Sequence, residues 1–316
     1  MPVQNKTDYI WMNGEFVRWD DANVHISTHA LHYGTSVFEG TRCYSLPQGP
    51  AIFRLQDHTR RLFNSAKIAR MPIEKWTEEE VNAATCEVIA RNHMTSAYLR
   101  PIAWKDTPAL GLATPGETHL AILTFEWGAY LGEEGLQNGI DAVISSWRRP
   151  AHGTLTSLGK IGGQYINSIY TSLEAKRDGY VEGIALDMQG YVSEGAGENL
   201  FCIIDGVLYT PPLSASILGG VTRNTVITLA HDLGYEVREE MLVREMLYIC
   251  DELFMTGTAA EVTPVRSVDQ VKIGSGKRGP ITKIIQDEFF SIVHGKVHDR
   301  HGWLTLVERE KATAGD

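Results

Sequence analysis

The stretch GIALDMQGYVSEGAGENLFCIIDGVLYTPPLSASILGGVTRNTVITLAHDLG (Gly183–Gly234) carries most of the fold information in this chain. Its apolar runs have strand length: Gly183 to Met188, Tyr191 to Ser193, Leu200 to Ile204 and Val207 to Thr210. Gln189-Gly190 and Asp205-Gly206 separate them, and such dipeptides signal tight hairpins. Near Thr222 the period changes from two to 3.6. Val226, Leu229, Ala230 and Leu233 then fall on one helix face, and Gly234 closes it. Just upstream, Gly163 to Asp178 reads as another helix, with Ile166, Ile169, Tyr170 and Leu173 at i, i+3, i+4, i+7 and Gly179 as its stop. Strands interleaved with helices in this way predict an α/β chain of the α+β kind.

The N-terminal half has the same character. Tyr9 to Met12 and Glu15 to Trp19 flank Asn13-Gly14, a hairpin signal because a type I′ turn needs two positive φ angles. A strand at Ala51 to Arg54 precedes a helix from about Gln56 to Arg70, which stops before Pro72. Thr77 with Glu80 forms a capping box, and Val81, Ala84 and Val88 give the next helix its apolar face. Ala97 to Trp104 and His119 to Trp127 read as apolar strands, Asp141 to Ser146 as another, and Ile281 to Val293 as a last helix. Neither periodicity holds over the glycine-rich 129–139. The expected organisation is therefore a smaller N-terminal domain, 1–128, a linker, 129–138, and a larger C-terminal domain, 139–316.

Composition excludes several functions. Of 316 residues 43% are hydrophobic and 22% charged, which fits a globular chain rather than a disordered one. A net charge of −10 repels phosphate backbones, so no nucleic-acid partner is expected. No apolar run approaches the ~20 residues of a membrane helix, and the opening MPVQNKTDYIWMNGE has no secretory h-region. The four cysteines, Cys43, Cys86, Cys202 and Cys250, are widely spaced, which points to a reducing cytoplasm rather than a disulfide scaffold or a zinc site. His29 and His32 lack an evident third ligand, so no metal is expected. A Walker lysine, a G-x-G-x-x-G after the first strands and a G-x-S-x-G elbow are all missing.

Four segments could carry chemistry. Lys160 sits in LGKIGGQY among glycines, where a partly desolvated amine becomes a Schiff-base nucleophile. Glu194, in YVSEGAGENLF, could meet a heterocyclic nitrogen while its glycine neighbours let a flat ring approach. Taken singly, a solvated loop lysine and a turn carboxylate are the commoner explanations. ILGGVTR (Ile217–Arg223) opens a helix and MTGTAAE (Met255–Glu261) follows an apolar strand. Both could cradle an anion with backbone N–H groups, although glycine turns into helices are also common as plain structure.

In order, YGTSVFEG (Tyr33–Gly40), HTRRL (His58–Leu62), AYLRP (Ala97–Pro101), GKIGGQY, YVSEGAGENLF, LGGVTR and TGTAAE closely resemble the branched-chain amino acid aminotransferases, pyridoxal phosphate enzymes of fold type IV. The similarity runs from about Tyr9 to Trp303. It implies two α/β domains and transfer of the amino group of L-leucine, L-isoleucine or L-valine to 2-oxoglutarate, giving L-glutamate. It also implies pyridoxal 5′-phosphate as cofactor and a homodimer or homohexamer.

Residue by residue, Lys160 matches the lysine that binds the cofactor covalently. Glu194 matches the partner of the ring nitrogen, Tyr165 that of the ring O3′, and Leu218 the residue against the ring face. Arg61, Val221, Thr222 and Thr258 match the phosphate contacts; the family arginine directly precedes the leucine of HTRRL, which selects Arg61 over Arg60. Tyr33, Phe38, Tyr98 and Tyr130 match pocket aromatics, for which plain core packing is the ordinary alternative. Arg100 matches the arginine for the glutamate γ-carboxylate. Backbone N–H groups at Thr258 and Ala259 suit the α-carboxylate. Other chemistries of this fold are a D-amino acid aminotransferase, an (R)-amine transaminase, an aminodeoxychorismate lyase and a ligand-binding protein without catalysis. The D-specific branch carries Arg-x-His after the Arg100 strand, whereas here no arginine occurs between Arg100 and Arg148. A binding protein would be expected to lack Lys160 or Glu194.

Overall fold

The computed structural model describes residues 6–107, 109–128 and 132–308. The chain divides into two compact units: 1–127 with 160–163 and 291–316, and 128–159 with 164–290. Each unit has its own sheet, and the fold is α+β.

In the first unit, β1 (Tyr9–Met12) and β2 (Glu15–Arg18) form the expected hairpin. Asn13 and Gly14 have φ of 53° and 98°, the two positive values that this turn needs. There follow α1 (His29–Tyr33), β3 (Ser36–Phe38), β4 (Thr41–Leu46), β5 (Gly49–Phe53), α2 (Leu55–Ile68), α3 (Glu78–Arg91), β6 (Ala97–Asp106) and β7 (Glu117–Phe125). The Thr77 hydroxyl accepts from the Glu80 N–H, and the Glu80 carboxylate accepts from the Thr77 N–H, so the capping box forms. The described strands pair antiparallel. Leu62 and Ala66 of α2 and Val81, Val88 and Ile89 of α3 pack with Cys43, Ile52, Leu99 and Ile122 of the sheet.

The second unit begins with α4 (Glu133–Asn138), β8 (Ile140–Arg148), α5 (Tyr165–Arg177), β9 (Glu182–Leu186), β10 (Val192–Gly195), β11 (Asn199–Ile204) and β12 (Val207–Thr210). It continues with α6 (Val221–Asp232), β13 (Val237–Glu239), α7 (Met246–Ile249), β14 (Glu252–Gly257), β15 (Glu261–Val268), β16 (Val271–Lys272) and α8 (Pro280–Val293), of which the last three residues count with the first unit. Its sheet runs β10-β9-β8-β15-β14-β11-β12-β13, with β16 paired to β15. It is mixed: β8 is parallel to β9 and β15, and the hairpins are antiparallel. The core joins Ile184, Val192, Leu200, Leu253 and Val265.

Three features depart from the sequence reading. Two pieces expected in the C-terminal domain belong to the first unit. Residues 291–316 do so because β17 (Leu304–Leu306) pairs antiparallel with β5. Residues 160–163 do so because they bridge to β3 through Val37 and Ile161. The expected linker contains α4, bounded by Gly132 and Gly139, both at positive φ. The apolar stripe of α5 faces outward: Ile166, Ile169, Tyr170 and Leu173 are 48, 49, 40 and 58% exposed, while Ser168, Thr171 and Ala175 are buried. The cause is close packing. A Cβ on Gly183 of β9 would lie 2.8 Å from the Thr171 methyl, so only small residues fit on that side of the helix.

Candidate active site

In the first unit the backbone of Lys160 is clamped on both sides. Its N–H donates to Ser65 Oγ at 2.9 Å, and its C=O accepts from the Phe38 N–H at 3.1 Å. Glycine permits the docking: Gly163 N–H donates to Gly34 C=O at 3.1 Å, and a Cβ on Gly34 would stand 2.7 Å from Gly163 Cα. The Lys160 amine lies 4.8 Å from the Phe38 ring centroid, and the Arg100 guanidinium lies 4.7 Å from the same ring and 5.5 Å from that of Tyr98. Tyr98 and Arg100 alternate onto one face of β6, and Leu99 between them points into the core. Arg100 Nε is buried with no hydrogen-bond partner among the described residues.

Helix α2 sets a second cluster. His58, Arg61 and Ser65 fall at i, i+3 and i+7, on one face. Arg61 turns inward to the fully buried Glu39, whereas Arg60 is 64% exposed and 3.9 Å from Glu78. Arg61 and His58 hydrogen-bond to Glu39 and hold its carboxyl well below the usual carboxylate range against the opposing effect of burial. Burial lowers the His58 pKa, despite the hydrogen bond to Glu39 that acts to raise it.

In the second unit Glu194 lies on β10, 4% exposed. Its Oε1 accepts from Arg149 Nη2, and its Oε2 accepts from Asn199 Nδ2 at 3.1 Å and from the Leu218 N–H at 2.9 Å. Arg149 also donates to Asn167 and Ser168 of α5, both at 3.1 Å. Asn199 donates to the Leu218 C=O at 2.9 Å, so one amide ties the carboxylate to the loop that opens α6. A Cβ on Gly220 would lie 1.9 Å from Asn199 Oδ1, which restricts that position to glycine. Gly220 is the N-cap of α6 with no side-chain cap, and Val221 and Thr222 form its first turn. Thr258 and Ala259 lie in the turn joining β14 to β15, next to Thr256, whose hydroxyl is buried without a partner among the described residues. Tyr165 opens α5, half-buried.

The structure thus brings Lys160, Phe38, Tyr98 and Arg100 together in the first unit, and Glu194 and Leu218 in the second. Tyr33 is 43% exposed on α1, its ring 4.5 Å from that of His29. Tyr130 lies outside the described residues. Sequence reasoning passed over Glu39, His58, Ser65, Arg149 and Asn199. Only the helical spacing of His58, Arg61 and Ser65 could have signalled part of this set.

Residues 36–268 match the family model of the class IV aminotransferases. The chain is 53% identical over 306 residues to the branched-chain-amino-acid aminotransferase of Escherichia coli K12, spanning 96% of this chain and 99% of that protein. It is 47% identical over 309 residues to the enzyme of that name from Pseudomonas aeruginosa, spanning 98% and 100%. Among solved structures, the E. coli branched-chain amino acid aminotransferase superposes with a TM-score of 0.94 at 53% identity, covering 96% of this chain and all of that one. The branched-chain amino acid aminotransferase of Thermobaculum terrenum, solved in its PLP form, gives 0.90 at 34% identity, covering 96% and 100%. With the matched model spanning well over half of its length, the chain belongs to the class IV aminotransferases.

Proposed function

We propose that this chain is a branched-chain amino acid aminotransferase, which moves the amino group of L-leucine, L-isoleucine or L-valine reversibly to 2-oxoglutarate with pyridoxal 5′-phosphate as cofactor. The donor groups fit that cofactor. Glu194, held by Arg149, Asn199 and a backbone N–H, is a fixed acceptor suited to a protonated ring nitrogen. The uncapped start of α6 and the unpartnered Thr256 hydroxyl suit a phosphate.

When bound, the cofactor supplies the electron sink that makes the substrate Cα–H acidic. Lys160 would hold it through its amine, and the same amine would carry the proton to and from the substrate Cα. Arg61, Val221, Thr222 and Thr258 would hold its phosphate, Tyr165 would hydrogen-bond its O3′, and Leu218 would pack against its ring. Thr258 and Ala259 N–H groups take the substrate α-carboxylate. Tyr33, Phe38 and Tyr98 would line the space for its side chain.

One observation carries the substrate reading: the Lys160 amine and the Arg100 guanidinium flank the same Phe38 ring, at 4.8 and 4.7 Å. An apolar ring beside a cation with an unpartnered Nε suits both an aliphatic chain and the glutamate γ-carboxylate. A panel of amino donors with 2-oxoglutarate as acceptor tests it. L-leucine, L-isoleucine and L-valine should be turned over and should shift the visible absorbance of the holoenzyme. Turnover of D-alanine instead would refute the reading.

A homodimer or homohexamer is supported by the outward apolar stripe of α5, beside which Trp147 stacks on Tyr170 at 4.5 Å. The cytoplasm is the compartment that fits four free thiols.

A further inference from the structure

We propose that Glu39 is a positioning residue for the phosphate end of the site: its buried carboxylate, steadied by His58, fixes the Arg61 guanidinium before a phosphate arrives. The proposal rests on the reading of Arg61 as a phosphate ligand.

Glu39 sits just past β3, has no exposed surface and collects four donors. Arg61 Nε donates to Oε1 at 2.6 Å and Arg61 Nη2 to Oε2 at 2.8 Å. His58 Nδ1 meets Oε2 at 2.8 Å, and the Gly40 N–H donates to Oε2 at 3.3 Å. The two arginine bonds engage both carboxylate oxygens, and this fork leaves a planar guanidinium little rotational freedom. A buried neutral imidazole facing a carboxylate carries its proton on Nδ1, so His58 donates and locks the far side of Glu39. Because α2 carries both His58 and Arg61 on one face, the carboxylate bridges two points of a rigid helix. The Arg61–Glu39 pair is neutral as a whole. Arg61 therefore serves a phosphate by an orientation settled in advance rather than by excess positive charge.

The experiment measures binding of pyridoxal 5′-phosphate and of pyridoxal, which lacks the phosphate, to the cofactor-free protein. For Glu39→Gln the dissociation constant of pyridoxal 5′-phosphate should rise about 10- to 100-fold, the range seen when an orienting partner behind a ligand is lost. That of pyridoxal should stay within about two-fold, since no phosphate is involved. Glu39→Asp keeps the buried guanidinium paired, and so serves even if the glutamine variant does not fold. One methylene shorter, it cannot reach Arg61 and His58 together, and it should lose part of the preference. Equal losses for the two ligands, or an unchanged preference in Glu39→Asp, would overturn the proposal. Arg61→Ala separates the two readings. If it abolishes the preference while the Glu39 variants keep it, only the role of Glu39 fails. If Arg61→Ala keeps the preference, the reading of Arg61 fails and the proposal with it.

Discussion

Replacing Arg100 by alanine should split the two half-reactions. Arg100 lies over Phe38 and Tyr98, and its Nε is buried without a partner among the described residues. A glutamate γ-carboxylate placed there gains charge-assisted hydrogen bonds. Without the arginine it becomes a desolvated anion with no counter-charge, at a cost of about 3–4 kcal/mol. That corresponds to about a 100- to 1,000-fold loss of kcat/KM for glutamate. An aliphatic side chain loses only contact with the guanidinium and its stem, about 1 kcal/mol or less, and so less than about 10-fold. Single-turnover rates measured separately with L-glutamate and L-leucine read the split directly. Equal losses, or a larger loss for leucine, would refute the assignment of Arg100 to the carboxylate.

Three further outcomes are expected. Glu39 has a folded-state pKa below its ordinary 4.5, so its stabilisation is present above that pH and fades as the pH falls through the acid range; the lowered His58 pKa adds a loss below its ordinary 6.5. Urea unfolding from pH 7 to 3 should therefore show stability falling below 6.5 and more steeply below 4.5, and this steepening should be smaller in Glu39→Gln, which has no carboxylate there to titrate; equal steepening would contradict the coupling. Burial pushes the Cys43 and Cys250 thiols up to about 12 and Cys86 to about 11, so Ellman's reagent at pH 8 should label none of the three before unfolding. Ile169→Glu, on the exposed α5 stripe, should lower the mass seen by light scattering with chromatography, and an unchanged mass would remove that stripe from the interface.

Legibility in the sequence followed the range of the forces involved. Asn13-Gly14, Thr77 with Glu80, and Asp205-Gly206 were readable because each turn or cap is made by residues within a few positions. The pairing of β17 with β5 was not, because it joins Leu304 to Phe53 and no local pattern encodes a partner that distant. Helix α5 shows a subtler limit. Its 3.6 period was read correctly, but the buried face is the one with small residues, chosen by the close approach of Gly183. For the candidate site, the motifs pointed to Lys160 and Glu194. Glu39, Arg149 and Asn199 were missed because a residue that orients another does so through a tertiary contact, and its own sequence neighbourhood looks like an ordinary turn or strand end.

The most direct test of the account is chemical trapping at Lys160. The holoenzyme is reduced with borohydride, digested, and the peptide carrying the cofactor is located by mass spectrometry. The pyridoxyl group should be found on Lys160, and Lys160→Ala should show neither label nor turnover. A label on another lysine, or normal turnover by the alanine variant, would contradict the central claim.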